Sequence, residues 1–284
     1  MNIPYSPVIV VGMHRSGTSA FIRALSELGL FIGYDLEPNA EARYFLNLNE
    51  EMLSMAGARW DAPDSMFCLL EDDDLVAWLV QWLASKMHGF DTCLYLSKPN
   101  WLRYRDIRKY PKPWGWKDPR NSVTLPIWLQ LFPQAKVIHV IRHGVDVAAS
   151  LQVREKALRE KTLANDYQTS SWKLTSPRCL DLTCGVKLWE SYVSAVEGIL
   201  AQLPDSQKLT LTFEDWLVRP AEHLAQLNAW LGLGAGDEEI NRVIQKLNVD
   251  RRFAFQQSDE LASFASSVCP DSQWIQRFYP EGHR

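Results

Sequence analysis

VIVVGMHRSGTS, residues 8–19, is the most informative stretch for the fold because it joins a short apolar run to a loop that contains two glycines. The run Val8–Val11 consists of β-branched residues, which predicts a buried strand. Beyond the loop, apolar residues recur at helical spacing and Gly29 supplies a stop signal. These residues are Phe21, Ile22, Leu25 and Leu28. The order strand, glycine loop, helix is the setting in which backbone N–H groups bind a phosphate.

The loop departs from the nucleotide-hydrolysing P-loop at one position. Gly12 and Gly17 have the P-loop spacing, but Thr18 stands where G-x-x-x-x-G-K-[ST] has its lysine. The strong cation of the loop is Arg15, which lies between the two glycines. We expect these loop residues to hold a phosphate: Gly12, His14, Arg15, Ser16, Gly17, Thr18 and Ser19. A strand–turn–helix corner without a ligand is the alternative.

A second anion site is predicted where another strand ends. Lys136–Ile141 reads as a buried strand, Arg142 follows it directly, and Ser150 lies in the next helix. An arginine at a strand end and a hydroxyl two turns into the helix can reach one phosphate. The alternative is a surface arginine that pairs with Asp146.

A third cationic segment is Gly115–Arg120, which reads GWKDPR. Lys117 and Arg120 flank a proline that stiffens the turn. The segment is a weak motif by itself. Between two anion sites it becomes a candidate for bringing a cation to a reacting group.

The rest of the chain alternates helices and strands with short links. We expect helices at residues 41–56, 71–88, 145–159, 182–203, 220–231 and 237–247, and a third strand at Leu209–Phe213. This alternation predicts an α/β fold, a P-loop-like parallel sheet with helices on both faces. We expect a single domain over residues 1–284. The polar segment 154–183 is either a flap over a substrate or an ordinary helix extension and loop.

The overall composition limits the classes of partner and the location that we expect for the protein. A net charge of −4 provides no global basic field, which argues against nucleic acid. We find no basic signal-peptide region at the start and no apolar run near the ~20 residues of a membrane span. Five cysteines without C-x-x-C spacing indicate reduced thiols and a cytoplasmic location. The acidic run Glu71–Asp74 reads as a helix start and the histidines lack zinc spacing, so no metal is expected.

Tryptophan is unusually frequent, with twelve residues in the chain. One group falls between residues 60 and 116 and consists of Trp60, Trp78, Trp82, Trp101, Trp114 and Trp116. Core packing is the favoured interpretation for most of them, and an acceptor pocket walled by indole rings is the alternative.

The motifs together resemble the PAPS-dependent sulfotransferases, where PAPS is 3′-phosphoadenosine 5′-phosphosulfate. The resemblance rests on five motifs that match in order and spacing across residues 8–231. They are G-x-x-R-S-G-T from Gly12, K-D-P from Lys117, F-P-x-A-K from Phe132, R-x-G-x-x-x-x-x-S from Arg142 and F-E-D-W-L-x-x-P from Phe213. Arginine in the first loop is similar to tyrosylprotein sulfotransferases and many bacterial members.

This resemblance implies a fold, a co-substrate and a set of roles. The donor has no γ-phosphate and needs no magnesium, so a loop that holds it has no use for the P-loop lysine. Arg15, Ser16, Gly17, Thr18 and Ser19 would hold the 5′-phosphosulfate. Arg142 and Ser150 would hold the 3′-phosphate, and Lys117 would stabilise the leaving phosphate oxygen. The acceptor would be a hydroxyl on a small molecule or a carbohydrate.

A general base must take the proton of the acceptor hydroxyl. Relatives often place a glutamate just past the first helix, which makes Glu37 the first candidate here, Glu41 the second and Glu50 the third. Many bacterial relatives read G-Y-F-E, whereas this chain has Leu46 in the position of that acid.

Two further departures from the family pattern leave alternatives open. The R-K-G triplet of the cytosolic branch is missing, with Arg251-Arg252 as a distant substitute, and the tail 253–284 matches no known pattern. A P-loop kinase or NTPase is one alternative, and Thr18 argues against it. An inactive nucleotide-binding protein is the other.

Overall fold

Four parallel strands form one sheet in residues 5–164 and 175–280, which the computed structural model describes. The strands are β1 (Val8–Val11), β2 (Gly115–Lys117), β3 (Lys136–Ile141) and β4 (Lys208–Thr212). Their order in the sheet is β2-β1-β3-β4. Val10 of β1 pairs with Lys117 of β2 on one side and with Ile138 of β3 on the other. Strand β1, which leads into the glycine loop, therefore lies inside the sheet. Its two neighbours, β2 and β3, are the strands whose ends carry the other predicted cations.

Helices account for most of the remaining described residues. They are α1 (Thr18–Glu27), α2 (Arg43–Met55), α3 (Asp64–Leu69), α4 (Asp73–Lys86), α5 (Cys93–Leu96), α6 (Lys98–Tyr104), α7 (Asn121–Leu131), α8 (Gly144–Leu163), α9 (Leu182–Leu200), α10 (Phe213–Val218), α11 (Pro220–Leu231), α12 (Asp237–Ile244), α13 (Asp259–Val268) and α14 (Gln273–Phe278). Each predicted helix is present, with ends that shift by at most four residues.

The acidic run Glu71–Asp74 is confirmed as a helix start. The Asp72 carboxylate accepts hydrogen bonds from the backbone N–H groups of Asp74 and Leu75, which caps α4. Carboxylates in the first turn also interact favourably with the helix dipole.

Helices cover both faces of the sheet, as predicted. Alternate residues of β1 point to opposite faces, and all four are buried. Val8 and Val10 pack in a core with α1, α10 and α11, whereas Ile9 and Val11 pack in a core with α2, α4, α7 and α9. The fold is an α/β, P-loop-like parallel sheet.

An aromatic cluster fills the larger of the two cores. Phe45 of α2 stacks on Trp116 of β2 with ring centroids 3.9 Å apart, and Trp114 and Trp128 complete the cluster. All four side chains are buried. The core interpretation therefore holds for Trp114 and Trp116, while Trp78 is 56% exposed on α4.

The C-terminal segment folds back onto the edge of the sheet where the strands end. Phe255 is buried against Val145 at the start of α8. The Tyr279 hydroxyl donates to the Glu214 carboxylate over 2.7 Å, which ties the end of the described chain to α10. Residues 246–255 are thereby held next to the predicted anion sites.

The predicted flap at 154–183 falls partly outside the described residues, at 165–174. Its described parts are the end of α8, a 3₁₀ helix at Pro177–Leu180 and the first turn of α9. The flap stays a prediction. Among the described residues, none of the helices has the length and apolar character needed to cross a membrane. All five cysteines lie in the described part, where each has a free thiol.

Candidate active site

The site is a cavity of about 430 Å³ at the carboxyl ends of the strands. The loop after β1, the turn after β2, Arg142 after β3 and Phe213 after β4 all contribute to its wall. Because the strands are parallel, segments that are far apart in sequence meet at this edge. The motifs predicted to bind anions therefore share one cavity.

Two glycines allow the loop after β1 to turn tightly. Gly12 has a φ of 145°, and a Cβ atom there would lie 2.4 Å from the carbonyl oxygen of Val140. Gly17 has a φ of 83°, and a Cβ atom there would lie 2.3 Å from the Phe213 ring. Arg15 also has a positive φ, of 73°, which a side-chain-bearing residue adopts at a cost. Val140 of β3 and Phe213 of α10 therefore leave no room for a side chain at either glycine.

Arg15 joins the first predicted anion site to the second. Its Nε donates to the Ser150 Oγ over 2.8 Å, although the two residues lie 135 positions apart. Arg142 Nη1 lies 3.5 Å from the carbonyl oxygen of Arg15. The Arg142 guanidinium is thus on the same side of the sheet as the glycine loop.

Arg142 is buried and combines the two roles that the sequence left open. Its Nη2 lies 3.1 Å from the Asp146 carboxylate and 2.9 Å from the carbonyl oxygen of Arg251. The same carboxylate accepts from the backbone N–H groups of Ala254 and Phe255. The ion pair with Asp146 therefore exists, and it fastens the C-terminal segment beside the cavity.

Each predicted anion site contains a buried polar atom without a hydrogen-bond partner among the described residues. One is the Ser16 Oγ in the glycine loop, and the other is the Arg142 Nε. A buried group that makes no hydrogen bond costs on the order of 1–3 kcal/mol. Oxygen atoms of a bound phosphate would supply the missing partners at both places, so the residues fit a ligand with two anionic groups.

Four guanidinium groups surround the junction of the two anion sites. They belong to Arg15, Arg142, Arg154 and Arg251, which also line an adjoining cavity of about 370 Å³ together with Ser150. Partial burial and the charges of Arg154, Arg142 and Arg251 lower the pKa of Arg15. The positive charges of this cluster exceed the negative charges beside it, which favours a polyanionic ligand.

Lys117 brings the third predicted cation into the same cavity. It ends β2, is 1% exposed, and lines the wall. Its Nζ lies 2.6 Å from the Glu41 carboxylate and 3.2 Å from the Ser19 Oγ. Burial lowers the pKa of Lys117, and the Glu41 charge opposes that effect. A buried ammonium beside the glycine loop is placed to meet negative charge there.

The three glutamates proposed as the base lie in different surroundings. Glu41 lines the cavity and pairs with Lys117. The Glu37 carboxylate pairs with Arg43 over 2.6 Å and lines a separate groove with Arg23. Glu50 pairs with Arg120 over 2.7 Å and is 54% exposed in its side chain. Glu41 therefore lies with the cations that line the cavity, whereas Glu37 and Glu50 form ion pairs outside it.

His14 lines the cavity next to Arg15. Its ring lies against Trp60, with centroids 4.6 Å apart, and against the edge of Tyr192 at 6.5 Å. Burial lowers the pKa of His14 well below its usual value, and the charges of Arg120, Arg154, Lys117 and Arg15 lower it further. The imidazole is therefore neutral at neutral pH.

Several cavity residues were not expected from the sequence. Phe213, Trp216 and Leu217 belong to the F-E-D-W-L-x-x-P motif, to which the sequence assigned no role in the site. The others are Arg154, Lys246 and Leu247. Arg154 carried a usable signal, since it lies one helical turn after Ser150 on α8 and must share its face. Leu247 follows α12 in a segment without a motif, and no sequence signal placed it here.

The parallel sheet, the glycine loop after β1 and the cations that line one cavity belong to a P-loop-like α/β protein. The chain belongs to the sulfotransferase family, whose model matches residues 7–237. No curated protein matches the sequence.

Solved structures of sulfotransferases share the fold at low sequence identity. A sulfotransferase domain from the curacin biosynthetic pathway is 14% identical, with a TM-score of 0.50 over 93% of this chain and 97% of that one. A sulfotransferase from Alicyclobacillus acidocaldarius is 15% identical, with a TM-score of 0.50 over 96% of this chain and 94% of that one.

Proposed function

We propose that the protein transfers a sulfuryl group from PAPS to a hydroxyl acceptor by in-line displacement at sulfur. The observation that carries the proposal is the hydrogen bond between Arg15 and Ser150. It places the cation of the glycine loop against the residue predicted to hold a second phosphate. One bisphosphorylated nucleoside then spans the two sites, each with a buried donor that lacks a partner within the described chain.

The 5′-phosphosulfate is assigned to the glycine loop and the start of α1. Backbone N–H groups of the loop and first turn attract an anion, and Ser16, Thr18 and Ser19 add hydroxyl donors. Negative charge grows on the leaving phosphate as the S–O bond breaks. Arg15 and Lys117 stabilise it, and such donors act strongly in a cavity with little water.

The 3′-phosphate is assigned to Arg142 and Ser150. Arg251 lines the same two cavities and adds a third group there, so it takes the place of the missing R-K-G triplet. The apolar wall made by Phe213, Leu217 and Leu247 suits the adenine ring, because a purine face buries apolar surface against such side chains.

The acceptor is a hydroxyl on a small molecule or a carbohydrate. Lys117 and Glu41 line the same cavity as the loop assigned to the donor, so a compact acceptor group is expected beside them. Of the three acids proposed from the sequence, Glu41 lines this cavity, whereas Glu37 and Glu50 pair with arginines outside its wall. A cytoplasmic location belongs to the same proposal, in line with the free thiols.

Calorimetric titration tests the proposal against its alternatives. We expect adenosine 3′,5′-bisphosphate to bind tightly without magnesium and ATP with magnesium to bind weakly. Preference for ATP would favour a kinase or NTPase and contradict the proposal. Turnover of sulfur-labelled PAPS then separates an enzyme from an inactive nucleotide-binding protein, which would bind the bisphosphate and transfer nothing.

A further inference from the structure

His14 lines the cavity, and one nitrogen atom of its ring makes no hydrogen bond within the described residues. Its Nε2 is buried and has no hydrogen-bond partner in residues 5–164 and 175–280. The side chain lines the same cavity as Lys117 and Glu41. An imidazole held in this way lacks the partner that a buried polar group normally has. A hydroxyl in the adjoining cavity would provide one.

Packing fixes the orientation of this ring. Trp60 lies 4.6 Å from it, and the backbone carbonyl of Trp60 accepts a 2.6 Å hydrogen bond from the Tyr192 hydroxyl of α9. Arg178 donates to the carbonyl of the next residue, Asp61, over 2.7 Å. The Trp60 segment is thus held from two sides, and it supports the imidazole as a rigid wall.

The charges around His14 keep it able to accept a proton. The groups that face it are Arg15 of its own loop, Lys117 and Arg120 at the end of β2, and Arg154 of α8. The described neighbours from α9 and from the Trp60 segment present aromatic rings, with the Tyr192 hydroxyl tied to the backbone. Four cations oppose the imidazolium form, so the unprotonated nitrogen is available at neutral pH.

The competing candidate for the base, Glu41, already forms an ion pair with Lys117. Its carboxylate lies 2.6 Å from the buried Lys117 ammonium. If it took the acceptor proton it would lose its charge and leave Lys117 unpaired in a buried position. Removing one partner from a buried ion pair is strongly unfavourable. Glu41 therefore serves better by holding Lys117 in place.

We propose that His14 is a catalytic residue that takes the proton of the acceptor hydroxyl, and that Glu41 is a positioning residue for Lys117. This rests on the sulfuryl-transfer function proposed above. The acceptor oxygen forms a bond to sulfur as its O–H proton moves to the unprotonated ring nitrogen of His14. The bond from sulfur to the bridging oxygen breaks, and its electron pair stays on the phosphate of the departing bisphosphate.

The position of His14 in the chain supports this step. His14 and Arg15 are consecutive residues of one loop, so their Cα atoms are about 3.8 Å apart. Arg15 is assigned to the 5′-phosphosulfate, and both residues line the same cavity, so the base would share that wall with the reacting group. The loop would bind the donor with its backbone and Arg15, and would serve the acceptor with its histidine.

Substitution of His14 by glutamine or asparagine tests the proposal, because both amides retain polarity and cannot take a proton. The matched control is His88→Gln, at an exposed histidine on another segment. Glu41→Gln tests the competing base. Each variant is titrated with adenosine 3′,5′-bisphosphate and assayed with labelled PAPS. The acceptor probes are 2-naphthol, N-acetylglucosamine and water, the last measured as released sulfate.

We expect both His14 variants to lose about a hundredfold or more in turnover while bisphosphate affinity changes by less than about threefold. The wild-type kcat/KM should fall on the acid side, below the usual histidine pKa of 6.5, as His14 becomes protonated. That acid limb should vanish in the His14 variants and persist in Glu41→Gln. The His88 control should match the wild type.

Near-normal turnover in the His14 variants of an active enzyme would overturn this inference and leave the proposed function intact. Loss of turnover in parallel with loss of bisphosphate affinity would also overturn it, since His14 would then bind the donor. Disappearance of the acid limb in Glu41→Gln instead would assign the base to Glu41. A wild type that transfers sulfate to none of the probes would overturn the proposed function itself.

Discussion

The two ends of the donor cavity are built in different ways. At the reacting end, Arg15 and Lys117 contact side chains, namely Ser150, Ser19 and the Glu41 carboxylate. At the anchoring end, Arg142 contacts Asp146 and the backbone carbonyls of Arg15 and Arg251. Under the proposed function, the reacting end meets charge that grows in the transition state, whereas the anchoring end meets a phosphate whose charge does not change.

The two ends should control different kinetic constants. An interaction that strengthens in the transition state raises kcat, while one that is equal in both states changes binding. Substitutions at the reacting end should therefore lower kcat, and those at the anchoring end should raise KM for PAPS. Substitutions at the two ends test this contrast.

Arg15→Ala should have the largest effect. It removes the cation of the glycine loop and the link to Ser150 at once. We expect kcat/KM to fall by about a thousandfold or more, since loss of one transition-state donor costs about 10²–10³. Labelled PAPS turnover measures it. Turnover within tenfold of the wild type would break the assignment of Arg15 to the reacting group.

Lys117→Met should lower kcat by about 10²–10³ with little change in the affinity for adenosine 3′,5′-bisphosphate. Methionine fills a similar volume without the charge. Lys156→Met is the matched control, since Lys156 is exposed on α8 and bonds to Gln152. A Lys117 variant that loses affinity and keeps kcat would place this lysine at the anchoring end.

Arg251→Ala should raise the KM for PAPS by about ten- to a hundredfold and leave kcat near its wild-type value, because a hydrogen bond to a charged group contributes about 1.5–3 kcal/mol. Its exposed neighbour provides the control, Arg252→Ala. Equal effects of the two variants would show that the charge of the segment matters and the cavity position of Arg251 does not.

Ser150→Ala should weaken donor binding by about three- to tenfold, the contribution of an ordinary hydrogen bond. The Arg15 Nε then loses its partner on α8, so a small fall in kcat accompanies the change. Calorimetry with adenosine 3′,5′-bisphosphate measures the affinity. Unchanged affinity would remove Ser150 from the 3′-phosphate site.

The smallest effect concerns stability away from both ends. Burial lowers the pKa of His139, which lies 2.9 Å from the Glu197 carboxylate, and the same contact lowers the pKa of Glu197. The unfolded chain therefore binds more protons below pH 6.5, and the free energy of unfolding should decline as pH falls from there. Urea unfolding across this range measures it. A flat profile would contradict the assignment of these two pKa shifts.

The sequence was sufficient for the parts of the site that lie at strand ends. Val8–Val11 and Lys136–Ile141 were recognisable as buried strands, and the residues after them had to meet once the sheet was parallel. β2 was not recognised as a strand, because three residues are too short to show a period. Lys117 was nevertheless singled out, from its motif.

The choice among the candidate acids could not be made from the sequence. Residues 35–42 form an irregular loop in which Leu36 pairs with Ala42 and Ala40 has a positive φ. That geometry turns Glu41 inward and leaves Glu37 to Arg43. Loop conformation depends on contacts distant in sequence, such as the hydrogen bonds that the backbone N–H groups of Tyr34 and Asp35 donate to Tyr95 and Leu94. For the same reason the sequence does not predict that Leu247 reaches the cavity.

Four arginines lie close together at the cavity: Arg15, Arg142, Arg154 and Arg251. The melting temperature of the protein should therefore report whether an anionic ligand is bound there. Mutual repulsion among these cations is relieved by any polyanion that fits, so melting temperature should respond to nucleotide before an acceptor is known. A ligand at one hundred times its Kd stabilises a fold by about 2.7 kcal/mol. Sulfate or phosphate in a purification buffer would compete for the same anion sites. Ligand screening by melting temperature should therefore use a chloride buffer of low ionic strength.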